Sequence, residues 1–429
     1  MRSVRTWGKR EKGKRFGAAL LVVFFVAGFL LGEGFHSSSL AAEKGPIKIG
    51  FIAGITGNWA QFGNDMVDGF KLRLSEMNYT VAGRKVELIV EDESTNPAMA
   101  VTKARKLISH DKVSLIAGVF LASSGYAVAP IAAEEKLPLV VTIATADDLT
   151  QRKANKYLTR LNWGTSSEFG YLSADYAYKK LGWRKAAIIG YDYAWGHEVG
   201  GGFLRTFEEL GGKVLQRVWT PVNTTDFGPY VTSIRREVDG ICSVITGAAT
   251  IRLINSVRMS DLKGQIIGPG QIVDESFLPA LGDSALGVYS IQSYSGALDT
   301  PENAEFKEKL QKAYKKEANA VLAINYTAAD GIIQAIQAIQ GNVENREKFA
   351  EALRAVQVSK SLRGALKVDK YGQIIQDQLV RRVDKVKNQY QNTVIDKYPA
   401  PTQFWKYDPD TIMKQSSYTR DYPPCKYCE

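Results

Sequence analysis

The sequence predicts an α/β protein made of two doubly wound parallel-sheet lobes. Three observations carry that prediction. Apolar runs of strand length alternate with segments of helical period along most of the chain, as in a parallel sheet covered on both faces. The alternation restarts once, between residues 143 and 167, as a second unit of similar size. The length, 429 residues, allows two domains of ordinary size.

Residues 47–53, IKIGFIA, form the continuous apolar run that a buried parallel strand requires. Met66, Phe70, Leu74 and Met77 then recur at helical spacing, and a strand is expected at 86–90. Pro97 suits the first turn of a helix, where its missing N–H costs nothing. Ala100, Ala104, Leu107 and Ile108 carry that helix on. Strand 114–119, helix 123–136 and strand 137–143 follow. The second unit reads as helix 167–181, strand 185–191 and helix 195–210, closed by Gly211 and Gly212. Strand 213–219, helix 227–238, strand 240–245, helix 251–260 and strand 265–267 come next. Residues 301–357 read as three helices, marked by Phe306, Leu310 and Ala313, by the apolar stretch 324–339, and by Phe349, Leu353 and Val356. From Pro399 the composition turns to Pro, Tyr, Asp and Ser. The tail 399–429 is expected to wrap a surface or fray.

Residues 1–42 read as a secretory signal peptide. Arg2, Arg5, Lys9, Arg10, Lys12, Lys14 and Arg15 form a basic head. Residues 16–31 are an apolar run too short for a comfortable membrane span. SSSLAA, at 37–42, offers small residues for cleavage near Ala41 or Ala42. No cysteine follows the run, so a lipid anchor is not expected. The formal net charge is +10, of which seven Lys/Arg against two Asp/Glu in 1–42 supply +5, leaving +5 for the rest. Those charges are scattered, with no basic stripe interleaved with aromatics, so nucleic acid is not an expected partner.

Of three cysteines, Cys242 lies in GICSVITG, where a buried strand would use it as an apolar filler. Cys425 and Cys428 form C-x-x-C in YPPCKYCE. A short-loop disulfide and two free thiols both fit.

Reaction chemistry is sparse. Beyond residue 42 the chain has two histidines, His110 and His197. His110 closes a helix, where a cation suits the negative end of the dipole. There is no HExxH, no GxSxG and no histidine pair at metal spacing, so the usual hydrolase signatures are missing and no metal or cofactor is expected. The pairs Glu134 with Glu135 and Glu208 with Glu209 read as solvated helix faces.

The junction after the first strand, GITGNWAQFGNDMVDGFKL, lacks both the P-loop lysine and the dinucleotide glycine spacing. What remains is a helix N-terminus, which suits an anion, beside the flat apolar surfaces of Trp59 and Phe62. A small carboxylate with an apolar body fits. So does an ordinary strand–helix turn with two packing aromatics.

Taken in order, that junction, VEDESTNPAMAVTKARKLI, LIAGVFLASSGYAVAPIAAEEKLPLVVTIATADDLT, AAIIGYDYAWG and RGALKVDKYG resemble a family. It is that of the periplasmic substrate-binding proteins of branched-chain amino acid ABC transporters, the leucine/isoleucine/valine-binding type. The resemblance spans roughly 46–390. It implies a type I periplasmic binding fold whose lobes are joined by three hinge crossings, near 162–164, 293–296 and 365–369. Lobe 1 is then 46–163 plus 294–366, and lobe 2 is 164–293 plus 367–398. It also implies a periplasmic, monomeric receptor without enzyme activity, which hands a small carboxylate or amino acid to a membrane permease.

The resemblance further implies site residues. The ligand carboxylate meets a hydroxyl and backbone N–H groups at the start of the helix after LIAGV. Here that hydroxyl is Ser123 or Ser124, while ungapped matching puts Ala122 at the usual serine, so the choice among the three stays open. Thr145 in TIAT is a second contact, and Thr142 lies nearby. Phe62, with Trp59, covers the ligand body, and Trp195 closes it from the second lobe.

The ammonium side departs from the family pattern. A glutamate is expected after a GP pair, but IIGPGQIVDESF places Gly270 or Gln271 there. A tyrosine expected in TGAAT is replaced by Ala248 or Ala249. A neutral Gln271 does not offset a buried ammonium. Either Asp274 or Glu275 reaches in, or the ligand is not an α-amino acid. A branched-chain or other hydrophobic amino acid is the first expectation. An aromatic or aliphatic carboxylic acid lacking the amino group is the second. A sensing partner of a regulatory system and a secreted enzyme are the alternative classes; the latter lacks any nucleophile–base pair.

Overall fold

The computed structural model describes residues 44–428, so the expected signal segment lies outside the described residues. The chain opens with β1 (Ile47–Ala53), α1 (Ala60–Glu76), β2 (Thr80–Val81), β3 (Arg84–Asp92), α2 (Pro97–Ser109), β4 (Leu115–Gly118), α3 (Ala122–Glu134), β5 (Leu139–Val141) and β6 (Leu158–Arg160). Every β1 residue except Lys48 is buried, as its apolar run requires. Asn96 starts α2 by accepting from the amides of Ala98 and Met99, with Pro97 in the first turn. The strands form one sheet in the order β2-β3-β1-β4-β5-β6, parallel except for β2 on β3.

The second unit contains α4 (Ser166–Lys179), β7 (Lys185–Tyr191), α5 (Ala194–Glu209), β8 (Lys213–Thr220), α6 (Gly228–Thr232), β9 (Gly240–Val244), α7 (Ala248–Met259), β10 (Gln265–Pro269), α8 (Leu278–Leu281) and β11 (Tyr289–Gln292). Thr165 caps α4 through a reciprocal capping box with Glu168. The chain then returns to the first unit with α9 (Pro301–Tyr314), α10 (Ala320–Ala338) and α11 (Arg346–Arg354), α10 packing on α1. A small sheet of β12 (Gln357–Val358), β13 (Leu366–Val368) and β14 (Ile374–Ile375) follows. The hairpin β15 (Gln378–Val386) and β16 (Gln389–Tyr398) then joins β11 antiparallel. The second sheet runs β16-β15-β11-β10-β9-β7-β8.

The chain passes between the sheets after β6, after β11 and after β14. Gln373 pairs with Arg160 of β6, so the small sheet stays beside the first one. The boundary expected at 366/367 falls inside it.

Two differences from the sequence reading have physical causes. The helix expected at 227–238 stops at Thr232, because Gln216 of β8 takes over the backbone: its Nε2 donates to Ser233 O at 3.0 Å and its Oε1 accepts from Arg235 N at 3.2 Å. The β15–β16 hairpin was not foreseen. It turns at Lys387 and Asn388, both at positive φ.

The tail wraps rather than frays. Phe404 and Ile412 of the tail are buried, the latter in α12 (Pro409–Lys414), and Cys425 and Cys428 form a disulfide. Cys242 is buried in β9, and burial pushes its thiol up. Among the described residues no helix is long and apolar enough to cross a membrane.

Candidate functional site

Open parallel sheets place their strand C-termini, and hence their ligands, at one edge. The two sheets here turn those edges toward one pocket of about 380 Å³ of empty space, its open mouth included. Trp59 and Phe62 reach it from the loop and helix after β1. Phe120, Leu121 and Ala122 follow β4, and Ile143 and Thr145 follow β5. Trp163 comes from the first crossing. From the other lobe come Tyr193 and Trp195 after β7, Thr246 after β9 and Gln271 after β10.

The walls are aromatic and mutually braced. Phe120 stands 5.9 Å from Trp59 and 6.1 Å from Phe62, centroid to centroid, and Phe62 meets Phe277 at 5.4 Å. Trp163 Nε1 donates to Ile143 O at 3.0 Å, which fixes its indole. Burial pushes the Tyr193 hydroxyl up, so it stays neutral. Trp59 closes on the other lobe at Gly247. A Cβ there would lie 2.8 Å from Trp59 Cδ1, and the residue sits at φ +72°, so glycine is required twice over.

Donors gather at one end. The N-cap of α3, Leu121, gives no side-chain cap, so the first-turn amides of α3 remain open to an anion. Thr145 Oγ1 lies 2.9 Å from Ser166 Oγ at the same wall.

Among the described residues no carboxylate lines the pocket. Asp274 is buried but accepts from Ser276 N and Oγ, at 3.1 and 2.7 Å; burial and the neighbouring Glu275 push it up to about 7. Glu275 pairs with the fully buried Arg381 at 3.1 Å. Gly270 cannot carry a side chain, since a Cβ would meet Gln292 Cβ at 2.5 Å and Arg381 Nη2 at 2.7 Å. Of the two residues matched to the family's ammonium position, Gln271 lines the pocket, and its side chain is a neutral amide.

Thus Trp59, Phe62, Thr145, Trp195 and Gln271 come together, while Ser123, Ser124 and Asp274 do not reach the wall. Ser124 is fully buried beside Glu93, whose carboxyl is pushed up by burial and accepts from Phe120 N at 2.9 Å. Thr142 is likewise turned away, donating to Asn325 Oδ1 at 2.6 Å. Ala248 and Ala249 line a neighbouring cleft that shares Trp59 and Thr246. The sequence reading missed Phe120, Leu121, Ile143, Trp163, Tyr193 and Thr246 as wall residues. All of them sit two or three residues past a strand end, and that position was the available signal.

The lobes also meet at a polar contact. Tyr126 of α3 donates to Glu198 Oε1 of α5 at 2.6 Å and accepts from Asp148 N at 3.1 Å. Glu198 Oε2 accepts from Asp147 N at 3.2 Å. Burial and the Asp147 charge push Glu198 well above the usual carboxylate range, and burial pushes Asp147 up to about 6.

Among the described residues no cluster of His, Cys, Asp and Glu is arranged to hold a metal ion.

Comparison with known proteins places this geometry in context. The family model described as periplasmic binding protein matches residues 46–389. A Leu/Ile/Val-binding protein homologue from Brucella melitensis is 27% identical over 346 residues, covering 78% of this chain and 86% of that protein. An ABC transporter substrate-binding protein from Sphaerobacter thermophilus superposes with a TM-score of 0.77 at 34% identity, covering 83% of this chain and 98% of that one. A solute-binding protein of an ABC transporter from R. palustris, solved in complex with 4-hydroxybenzoate, gives a TM-score of 0.78 at 31% identity, with the same two coverages.

Proposed function

We propose a ligand for this chain, which belongs to the periplasmic binding protein family and is an ABC transporter substrate-binding protein of the Leu/Ile/Val-binding type: a small aromatic carboxylate without an ammonium group. The observation that carries the proposal is an aromatic pocket whose family ammonium position is a neutral Gln271, with Asp274 and Glu275 both engaged elsewhere. Burying an unpaired ammonium costs several kcal/mol, whereas an apolar ring gains from the same walls. The carboxylate sits at the open amides of α3 beside Thr145, and Trp59, Phe62 and Trp195 enclose the ring. Lobe 1 (46–163 with the return after 293) and lobe 2 close over it by hinge motion. The receptor, a monomer exported by a cleaved signal peptide, delivers the ligand to its permease without turnover.

The relative that binds 4-hydroxybenzoate supports this reading, and the Leu/Ile/Val-binding relatives support the amino-acid alternative. Calorimetric titration separates them. Benzoate, 4-hydroxybenzoate and phenylacetate should bind, and phenylalanine and leucine should bind far more weakly than their deaminated counterparts. Tight leucine binding with no response to its deaminated acid would reject the proposal.

A further inference from the structure

Among the described residues of the pocket wall, Gln271 carries a buried polar atom that the chain itself leaves without a partner. Gln271 is 5% exposed, lines the pocket, and its Oε1 has no hydrogen-bond partner. The other two hydroxyl-bearing threonines on the wall are engaged: Thr246 Oγ1 donates to the Gln271 carbonyl at 2.9 Å, and Thr145 Oγ1 pairs with Ser166. A buried amide without a partner is destabilising unless something supplies the bond. Thr246 anchors the backbone of Gln271, so the side chain is held at the wall and aimed at whatever fills the cavity.

Position decides what that partner is. The carboxylate donors, the first turn of α3 and Thr145, belong to the first lobe. Gln271 follows β10 in the second lobe. A ligand gripped by its carboxylate in one lobe therefore presents its far edge to Gln271 in the other, with aromatic walls between. We infer that Gln271 is a specificity-determining residue that hydrogen-bonds a ring hydroxyl, so that the preferred ligand is a hydroxylated aromatic acid. A carboxamide both donates and accepts, which suits a phenol. A site built to bond a hydroxyl discriminates strongly against an analogue lacking it, because its own polar group is then left unpaired. The inference rests on the aromatic-carboxylate reading above and adds the hydroxyl to it.

The test pairs each phenol with an isostere. Calorimetry on the purified protein compares 3- and 4-hydroxybenzoate with 3- and 4-methylbenzoate, benzoate and leucine, and repeats the series on Gln271→Leu and Gln271→Met, with melting curves to establish folding. One hydroxybenzoate should bind at least about tenfold more tightly than its methyl isostere, the worth of one buried hydrogen bond. Both variants should bring that ratio close to one. Equal binding of hydroxyl and methyl ligands by the wild-type protein overturns the inference, as does an unchanged ratio in a folded variant. If neither variant folds, the wild-type ratio alone decides. A protein that binds benzoate and methylbenzoates but gains nothing from a hydroxyl keeps the aromatic reading and loses the role of Gln271. One that binds leucine and no aromatic acid loses both.

Discussion

Tyr126 reaches from one lobe to Glu198 of the other, Oη to Oε1, at 2.6 Å. The same hydroxyl accepts from Asp148 N, so one atom satisfies a donor and an acceptor on opposite sides of the cleft. In an open form water would serve Glu198, whereas the bond from Asp148 N lies within the first lobe and persists. The bond to Glu198 is therefore made at closure, and its loss should fall on ligand binding more than on folding. Tyr126→Phe should weaken ligand affinity by roughly tenfold or more, the cost of about 1–3 kcal/mol for stranding buried polar groups, and leave the melting temperature of the ligand-free protein nearly unchanged. Calorimetry with thermal melts checks this; equal affinity would show that the contact adds nothing to closure.

Gly247 gives a steric version of the same test. Its missing side chain is what lets Trp59 approach from the other lobe, and its φ of +72° disfavours any L residue with a side chain. Gly247→Ala should hold the lobes apart. Affinity should fall by at least about tenfold, more than the ~1 kcal/mol strain of the backbone alone would give. Small-angle scattering with saturating ligand should show a wider particle than the wild type. A compact, fully liganded variant would place the Trp59–Gly247 contact outside the closing motion.

What the sequence showed, and what it hid, follows from where each signal comes from. Strands such as β1 and helices such as α10 are buried along their length, so their apolar periodicity announces them. The β15–β16 hairpin lies at a sheet edge with many polar, partly exposed residues, and its alternation is weak. The early end of α6 depends on Gln216, a side chain on another strand, which local sequence cannot register. At the site, Trp59, Phe62, Thr145, Trp195 and Gln271 were legible by position in family blocks. Ser123 and Ser124 were not separable from Ala122, because a one-residue rotation on a helix decides which of them faces the pocket. That Asp274 and Glu275 turn away was invisible, since Ser276 and Arg381 capture them through tertiary contacts.

Glu168 makes stability depend on pH. It is buried at the start of α4, and burial outweighs the hydrogen bonds from Thr165 N and Gln378 Nε2, pushing its carboxyl from 4.5 up to about 8. The folded chain then holds a proton that the unfolded chain has released. The stability from this site is fully present below the ordinary carboxylate pKa and is lost as pH rises through about 8. Asp274, at about 7, and Asp147, at about 6, act in the same direction. The urea midpoint should fall between about pH 5 and 9, with a limit near 1.4 kcal/mol per pH unit for each proton. Glu168→Gln should flatten the upper part of that curve. A midpoint that is constant or rises with pH would contradict the burial argument.

The tail makes the last case, because it is bound to both lobes at once. On the first, Gln403 exchanges two hydrogen bonds with Thr150, at 2.8 and 3.2 Å, and Arg152 donates to Gln415 O at 2.9 Å. On the second, Tyr407 bonds Thr206 and Glu209, both at 2.8 Å, under the Arg205 guanidinium, and Tyr418 meets the fully buried Tyr171 at 3.0 Å. A strap of this kind resists both unfolding and separation of the lobes. Truncation after residue 398 exposes the surface that Phe404 and Ile412 cover and strands Thr150 and Tyr171. Each buried apolar side chain is worth about 1.5–3 kcal/mol before the entropy of ordering the segment is subtracted, so a net loss of about 2–4 kcal/mol is expected. The ligand-free truncated protein should also give a larger radius of gyration than the ligand-free full chain, after allowing for the missing residues, because the strap no longer limits opening. Unchanged urea midpoints and superimposable scattering curves would reduce the tail to a passive cover. A lower midpoint with unchanged scattering would make it a stabiliser that does not limit opening.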